Sequence, residues 1–498
     1  MSEYLAIDIG TSSVKAALYS QEGCLSASHS CEYTFQRPKI NWAEQDPAAW
    51  WQAVQQTCSR LIADSHHPSI RAVCVSGQAP SCAPVDRHGR PLRPALLWLD
   101  RRATPQVDWL QRRLGLAVAE QVSGNTLDSY FGGPKWLWFL QNEPELYHQT
   151  WKILQASSYI VYCLTGEVVT DPSHAGLCSP CFDLNSGTWS RDICGAMGIE
   201  TDKLPVIYPA SQVIGKITYS AASATGIPAG TPVVCGAGDF ACACLGAGVT
   251  EAGQAAGMLG TAGNLMLPGL DRLDVRLLNT KHATGAPLSL GGVMAGGVVS
   301  WFVKAFCADT PGIFDLLEKE ACQTPPGADG LVFLPYLMGE RTPIWDPQAR
   351  GVFFGLSAMH HKGHLYRAVL EGVAFAFRQM MEIMSFNESS FSEIVFINGG
   401  ARNALWRQIF ADVLGVTVRW LPDSGGTIQG GAYLAALGCG DVSGFADIQS
   451  WLEPPVDTPS NPDCCETYSR QFQVYQSLYP RLKDCFSALQ TESKTLKE

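Results

Sequence analysis

The chain writes one short pattern twice. Leu5-Ala6-Ile7 runs into Asp8-Ile9-Gly10-Thr11-Ser12-Ser13, and Ala256-Gly257-Met258-Leu259 runs into Gly260-Thr261-Ala262-Gly263-Asn264. Each copy is an apolar run of buried-strand character broken at a Gly-Thr turn. Glycine lets a backbone approach a ligand closely, and consecutive N–H groups in such a turn form a nest for anions. One such turn constrains nothing, because glycines close strands everywhere. Two, with an acid at Asp8 beside the first, predict two related domains gripping one polyphosphate from both sides. At 498 residues the chain also exceeds what a single core serves.

Composition narrows the partners. A hydrophobic content of 46% with 16% charge is that of a soluble globular enzyme. A formal charge of -11 excludes a nucleic-acid backbone as the main partner, but not a nucleotide held by backbone N–H groups and a metal ion. No apolar run spans a bilayer, and Ser2-Glu3-Tyr4 leads straight into a strand, so neither membrane nor secretory leader is expected and a cytoplasmic address follows. The 18 cysteines are scattered, many in apolar runs (Cys74, Cys235, Cys485), and read as reduced packing residues. Cys178-Ser-Pro-Cys181 has zinc-knuckle spacing but no second pair to complete a site. Cys242 and Cys244 fall on a helix pointing two ways.

Strands and helices alternate, which indicates α/β layers. Val73–Gly77, Val233–Gly236 and Ile394–Ile397 read as buried strands. Leu365 to Phe386 carries Val369, Val373, Phe377, Met380 and Met384 at helical period, a core face. Ala404 to Leu414 is a helix stopped by Gly415, and Thr467 to Leu489 a helix interrupted at Pro480. Breaks fall at Gly226–Gly230, Pro325–Gly330 and Pro454–Pro462, and Thr491 to Glu498 reads as a frayed end. A junction near residue 245 divides the chain into domains 1–245 and 246–498.

Four constellations carry chemistry. Asp8 with Gly10, Thr11 and Ser12 can organise Mg²⁺ through water beside a phosphate nest; Asp8 alone also reads as a turn cap. Gly260-Thr261 is the partner nest. In Gly236-Ala237-Gly238-Asp239-Phe240 one acid stands at a glycine-rich strand exit, where α/β folds bind ligands. Asp239 can accept a hydroxyl proton during phosphoryl transfer, or cap the helix after it. Asn398-Gly399-Gly400-Ala401-Arg402-Asn403 repeats the strand–glycine–helix pattern. No G-x-x-x-x-G-K-[ST] occurs, and neither Gly236-Ala237-Gly238 nor Gly246-Ala247-Gly248 completes a dinucleotide fingerprint.

The ordered set resembles the FGGY family of carbohydrate kinases, closest in pattern to its xylulokinase-like members. The resemblance spans nearly the whole chain. Asp8–Ser12 matches the first phosphate motif. Trp42-Ala43-Glu44-Gln45-Asp46-Pro47 with Trp50-Trp51 follows, then Ser76-Gly77-Gln78, Leu97–Arg102 and Pro134-Lys135. Gly238-Asp239 matches the catalytic acid and Gly260–Gly263 the second phosphate motif. Gly339-Glu340-Arg341-Thr342-Pro343 through Arg350–Leu356 is the most recognisable stretch, and Gly399–Asn403 matches the adenosine motif. The resemblance implies two RNase H-like domains of actin/hexokinase type around a central cleft, with sugar mainly on the N-terminal side and ATP on the C-terminal side. It implies Asp239 as general base, Asp8 organising Mg²⁺ through water, and Gly10, Thr11, Ser12, Gly260 and Thr261 at the phosphates. Gly399, Gly400, Ala401 and Asn403 border adenosine.

The sugar-side positions depart from that pattern. Ala79-Pro80 stands where xylulokinases have Met-His, Phe240 where they have Asn, and Leu99 replaces an Asn. Pro, Phe and Leu side chains form no hydrogen bond to a hydroxyl. A pocket lined by Gln78, Ala79, Pro80, Trp98, Tyr130, Asp239 and Phe240 would therefore read hydroxyl stereochemistry weakly, or prefer a smaller or deoxygenated sugar. The reading is ATP- and Mg²⁺-dependent phosphorylation of a small sugar or polyol, a pentulose-type ketose favoured, by an enzyme whose relatives are often homodimers. The rivals are a non-catalytic actin-like sugar-binding or regulatory protein, which would lose the acid, and a nicotinamide-dependent sugar dehydrogenase, which would need the missing fingerprint.

Overall fold

The computed structural model describes residues 2–270, 272–307, 311–384, 391–422 and 424–495. They form two compact units. The first comprises 1–250 with two returning segments, 279–288 and 424–452; the second comprises 251–278, 289–423 and 453–498.

The first unit is built on β1 (Ser2–Ile9), whose residues 4–7 are all buried. Side chains alternate across a strand, so a fully apolar run needs cover on both faces. Leu5 and Ile7 join one core with Val73, Val75 and the Trp50, Val54 and Leu61 face of helix Pro47–Asp64. Tyr4 and Ala6 join another, with Cys74, Cys242, Ile428 and Ala432. β2 (Ser13–Ser20) and β3 (Leu25–Glu32) extend β1 as an antiparallel meander. β4 (Ser69–Gly77) lies parallel on its other side, with Ile9 opposite Gly77. With β5 (Val213–Lys216) and β6 (Pro232–Val234) the sheet order is β5–β6–β4–β1–β2–β3. The second core is made of small residues, and there helices Asp239–Gly246 and Thr427–Gly438 approach backbone to backbone. A Cβ on Gly430 would stand 2.0 Å from the Cys242 carbonyl oxygen.

The second unit repeats the plan. β7 (Ala256–Leu259) pairs antiparallel with β8 (Ala262–Pro268), and β9 (Pro287–Met294) follows β8 in the sheet. β10 (Glu393–Ile397) is parallel to β7, and β11 (Thr417–Trp420) to β10. β12 (Val456–Thr458) closes the edge antiparallel. Apart from a seventh strand, Leu278–Lys281, at the edge beyond β9, the order β9–β8–β7–β10–β11–β12 is the first unit's order over again. The twin turns are the visible part of a doubled RNase H-like fold.

Local expectations hold with adjustments. The core helix spans Lys362–Met384, with Val369, Val373, Phe377, Met380 and Met384 buried; residues 385 and 386 lie outside the described residues. Helix Ala404–Leu414 ends at Gly415 in the left-handed conformation. Pro480 does not interrupt its helix, which runs continuously over Cys465–Thr495. Tyr475, Leu478 and Phe486, buried on both sides of the proline, anchor the helix through the missing bond. The end expected to fray is instead helical as far as Thr495, a continuation of that helix; residues 496–498 lie outside the described residues. The Pro454–Pro462 break contains β12, since the open edge of β11 takes a short partner there. Cys74 and Cys235 are buried as expected, but Cys485 is exposed on its helix. Cys178 and Cys181 pack in an apolar cluster, and no metal-holding group of His, Cys, Asp or Glu occurs among the described residues.

Gly236 is where the strand exit depends most on glycine. Its φ is +80°, and a Cβ would lie 1.9 Å from the Val75 carbonyl oxygen. Gly236→Ala is expected to lower stability by more than about 2 kcal/mol, from strained backbone and the clash together, read as a lower urea midpoint.

Candidate active site

In the first unit the parallel pairing of β1 and β4 brings Asp8, Gly10 and Gln78 to one end of the sheet. Asp8 Oδ1 accepts from Ser76 Oγ at 2.7 Å. Burial raises the Asp8 carboxyl, opposed by the Ser76 hydrogen bond and the charges of Lys15 and His174. The Gly10 turn closes by Gly10 N–H to the Ser13 carbonyl at 2.9 Å, while the Gly10 carbonyl accepts from Tyr33 Oη at 2.6 Å and Gln78 Nε2 at 3.2 Å.

Thr11 ties this turn to the sugar-side residues. Its hydroxyl accepts from Trp98 Nε1 at 3.0 Å and donates to Gln78 Oε1 at 3.0 Å. Gln78 is 2% exposed, and its amide also donates to Gln45 Oε1 at 3.0 Å. The Gln78 amide is thus largely engaged in bracing the turn. Trp98 meets Tyr130 edge to face, ring centroids 6.5 Å apart. Tyr130 is buried and donates its hydroxyl to the Ala79 carbonyl at 3.3 Å. Ala79 and Pro80 are buried, and Ser12 is exposed at the tip of the turn.

Asp239 is the first residue of helix Asp239–Gly246, with Gly238 at the cap position. Its Oδ1 accepts from Phe240 N–H at 2.7 Å. Burial, then the charge of Asp8, pushes its carboxyl up to about 7, against the pull of the Phe240 N–H and His174. Phe240 is half-buried and folds over Gly238; a Cβ there would meet its ring at 2.7 Å. Leu99 is half-buried against the core around β1.

The motif residues behind this site form a buried ionic lattice. Arg102 Nη2 contacts Asp100 Oδ2 at 2.7 Å and its Nη1 contacts Glu44 at 2.7 Å, while Arg93 pairs with Glu44 and with Glu143 at 2.8 Å. The Arg102 guanidinium lies 3.5 Å from the Trp42 ring centroid. Trp42-Ala43-Glu44 and Asp100-Arg101-Arg102 are therefore one structural unit. Lys135 is fully buried and donates to the Ser129 carbonyl at 2.7 Å and to the Tyr130 carbonyl; burial brings its ammonium down to about 7.

In the second unit Gly260 and Thr261 join β7 to β8, and their carbonyls accept the first N–H groups of helix Gly296–Phe306. Gly296 N–H reaches Gly260 O at 2.9 Å and Gly297 N–H reaches Thr261 O at 2.9 Å. Parallel pairing of β7 and β10 sets Met258 opposite Ile397, so Asn398, Gly399 and Gly400 start beside this turn. Gly400 is tight against the Leu259 carbonyl, 2.7 Å from a would-be Cβ. Ala401 is buried, and Asn403 accepts from Trp406 N–H at 2.8 Å as the cap of helix Ala404–Leu414. In the Gly339–Pro343 stretch, burial pushes the Glu340 carboxyl up to about 8, and Thr342 Oγ1 accepts from Gly292 N–H at 2.7 Å.

Two family models match this chain: the N-terminal domain of the FGGY family of carbohydrate kinases over residues 3–246, and its C-terminal domain over 256–439. The chain belongs to the FGGY family of carbohydrate kinases. It is 30% identical to the xylulose kinase of Staphylococcus xylosus over 496 residues, covering 96% of this chain and 100% of that one. A crystal structure of xylulose kinase from Rhodospirillum rubrum superposes with a TM-score of 0.91 at 31% identity, over 97% of this chain and 100% of that one. A crystal structure of gluconate kinase from Lactobacillus acidophilus superposes with a TM-score of 0.92 at 26% identity, over 98% and 99%. The protein is a sugar kinase of xylulokinase-like pattern, a phosphotransferase that uses ATP as substrate. No helix among the described residues is long and apolar enough to cross a membrane.

Sequence reading of this kinase missed two things. Helix Thr427–Gly438 belongs to the first unit, and Thr427 Oγ1 donates to the Asp239 carbonyl at 3.2 Å. Its Gly425-Gly426-Thr427 entry was the available signal. Asp171, Ser173 and His174 pack behind the two strand ends, marked in sequence only by Asp-Pro at a helix start.

Thr11→Val keeps the shape of the kinase's first turn and removes the hydroxyl between Trp98 and Gln78. It is expected to cost about 1–3 kcal/mol in urea denaturation, because both partners lose a buried bond. The KM for sugar should rise with it in a coupled assay.

Proposed function

We propose that this kinase transfers the γ-phosphoryl group of MgATP to a hydroxyl of a small ketose, with Asp239 as general base. The carrying observation is Asp239 itself: a desolvated carboxylate at a strand exit, one oxygen held by Phe240 N–H and the other without a hydrogen bond among the described residues. That second oxygen accepts the acceptor hydroxyl's proton as the hydroxyl oxygen attacks phosphorus, and the β-phosphate oxygen leaves with ADP. Gly10, Thr11, Ser12, Gly260 and Thr261 hold phosphates, and Gly399, Gly400, Ala401 and Asn403 border adenosine. The N-terminal domain, 1–245 together with the returning segments 279–288 and 424–452, takes sugar, and the rest of the C-terminal domain, 246–498, takes nucleotide.

Magnesium fits the donor chemistry of Asp8. One Asp8 oxygen is bonded to Ser76, and no cluster of three ligating side chains exists among the described residues. Such a site suits a cation that keeps its waters and leans on phosphate oxygens. The bound ion would offset charge gathering on the transferred group. Gln78, Ala79, Pro80, Trp98, Tyr130 and Phe240 border the sugar, offering aromatic and apolar surface. The free cysteines suit the reducing cytoplasm. Homodimerisation is part of the same reading.

Relatives named xylulose kinase favour a ketopentose, and the gluconate kinase likeness supplies the competing acceptor. ADP release from MgATP is expected to be fastest with a ketopentose, by about tenfold or more in kcat/KM over gluconate. Gluconate as the better acceptor would move the assignment, and no release with any sugar or polyol would end it. Asp239→Asn should lower kcat by about 10²–10⁴-fold while ADP still binds in calorimetry.

The pH dependence follows from the raised Asp239 carboxyl. Protonated below its pKa, it cannot act as base, so kcat/KM should climb through about 7 as pH rises. An acid limb absent down to pH 5 would contradict Asp239 as the base.

A further inference from the structure

Tyr130 stands on a four-residue tip, Asp128-Ser129-Tyr130-Phe131, just ahead of helix Gly132–Asn142. No strand or helix holds these four residues. The backbone bonds that regular structure would supply must come from elsewhere, and here two side chains supply them. Asp128 serves the donor side. Its Oδ1 accepts the Tyr130 N–H at 2.7 Å, and the same oxygen pairs with Arg101 Nη1. Lys135 serves the acceptor side. Its Nζ donates to the Ser129 carbonyl at 2.7 Å and to the Tyr130 carbonyl, with the Phe131 carbonyl at 3.5 Å. Both polar groups of the Tyr130 main chain are therefore taken by side chains. The ring is set in turn by its own contacts: the hydroxyl on the Ala79 carbonyl, Trp98 edge to face, and the Arg101 guanidinium 5.7 Å from the ring centroid.

Lys135 occupies an unfavourable place. It is 0% exposed, and burying an ammonium group carries a desolvation cost. It is also the fourth residue of its helix, close to the end where the peptide dipoles disfavour a cation. A methionine would fill similar space with neither penalty. What a lysine adds is donors, and they go to the tip that carries Tyr130. Two N–H groups are enough for the Ser129 and Tyr130 carbonyls, so the hold does not depend on the protonation state of the nitrogen.

We propose that Lys135 and Asp128 are positioning residues for the sugar side: they clamp the Tyr130 main chain at its carbonyl and at its N–H, and so fix the ring that meets Trp98. Neither acts on the reacting atoms. The effect on sugar binding rests on the reading of Tyr130 as a residue that borders the sugar. Trp98 is bonded to Thr11, so the same clamp braces the aromatic wall as far as the first Gly-Thr turn.

The test uses the full-length enzyme with MgATP and D-xylulose, or gluconate where that is the better acceptor. Lys135→Met keeps the apolar stem and removes the donors. Asp128→Ala removes the acceptor at a partly exposed position, where folding is less at risk. Each is expected to raise the KM for sugar about tenfold and to leave the KM for ATP in place. In a Tyr130→Ala background, itself raised in sugar KM, neither should raise it further, because both act through that ring. A variant that is merely less stable loses active enzyme, so its kcat falls and both KM values hold. That pattern in the clamp variants overturns the proposal, and so does a full KM effect that persists without Tyr130. If Lys135→Met does not fold, Asp128→Ala decides by the same two readouts. Tyr130→Ala with an unchanged sugar KM sinks the sugar-side reading of Tyr130 and the proposal with it. A raised KM in Tyr130→Ala beside normal values in the clamp variants sinks the clamp alone.

Discussion

A central strand with no wet face is the constraint on which the first unit depends. β1 buries both sides, so its polar business is confined to its end, and there stands Asp8. Its parallel neighbour β4 ends in the same place, at Gly77 and Gln78. The exit from β6 delivers Asp239. The sheet's pairing register therefore gathers chemistry that the sequence spreads over more than two hundred positions. Desolvation does the rest, raising the Asp239 carboxyl toward the range that its proposed role as base needs.

The second unit uses the same geometry without the acids. Its turn carbonyls receive the start of helix Gly296–Phe306, and the glycines of 399–400 let β10 end close to Leu259. This is a surface of backbone rather than of charge, which suits the phosphate and nucleotide recognition by N–H groups proposed for it. The duplicated fold has diverged by residue type at matched strand ends.

What could be read from sequence was what residue type decides locally. Gly-Thr turns, the Gly415 cap and the Lys362–Met384 core face carry their own signatures. What depends on distant partners could not be read. Gln78 stood out in the sequence as a candidate site residue, but the turn-bracing bonds in which its amide is engaged did not, because Gln45 and Thr11 are far away in sequence. Asp171 and His174 look ordinary until folding sets them under Gly77 and Gly238. Pro480 misled because a local rule was outweighed by buried aromatic and aliphatic anchors on either side of it. The sugar-side substitutions were visible as letters; that Phe240 lies over Gly238 was not.

The return of residues 424–452 to the first unit bears on how the protein is made. The small-residue face of β1 is covered by helix Thr427–Gly438, with Ile428, Ala432 and Tyr433 sealing it. A ribosome has translated most of the message before that helix exists. Until then the nascent sheet carries an open apolar face, so the usual order in which an N-terminal domain finishes first is closed to this chain. Its first half emerges early and matures late, and in the interval it is the kind of surface that chaperones hold.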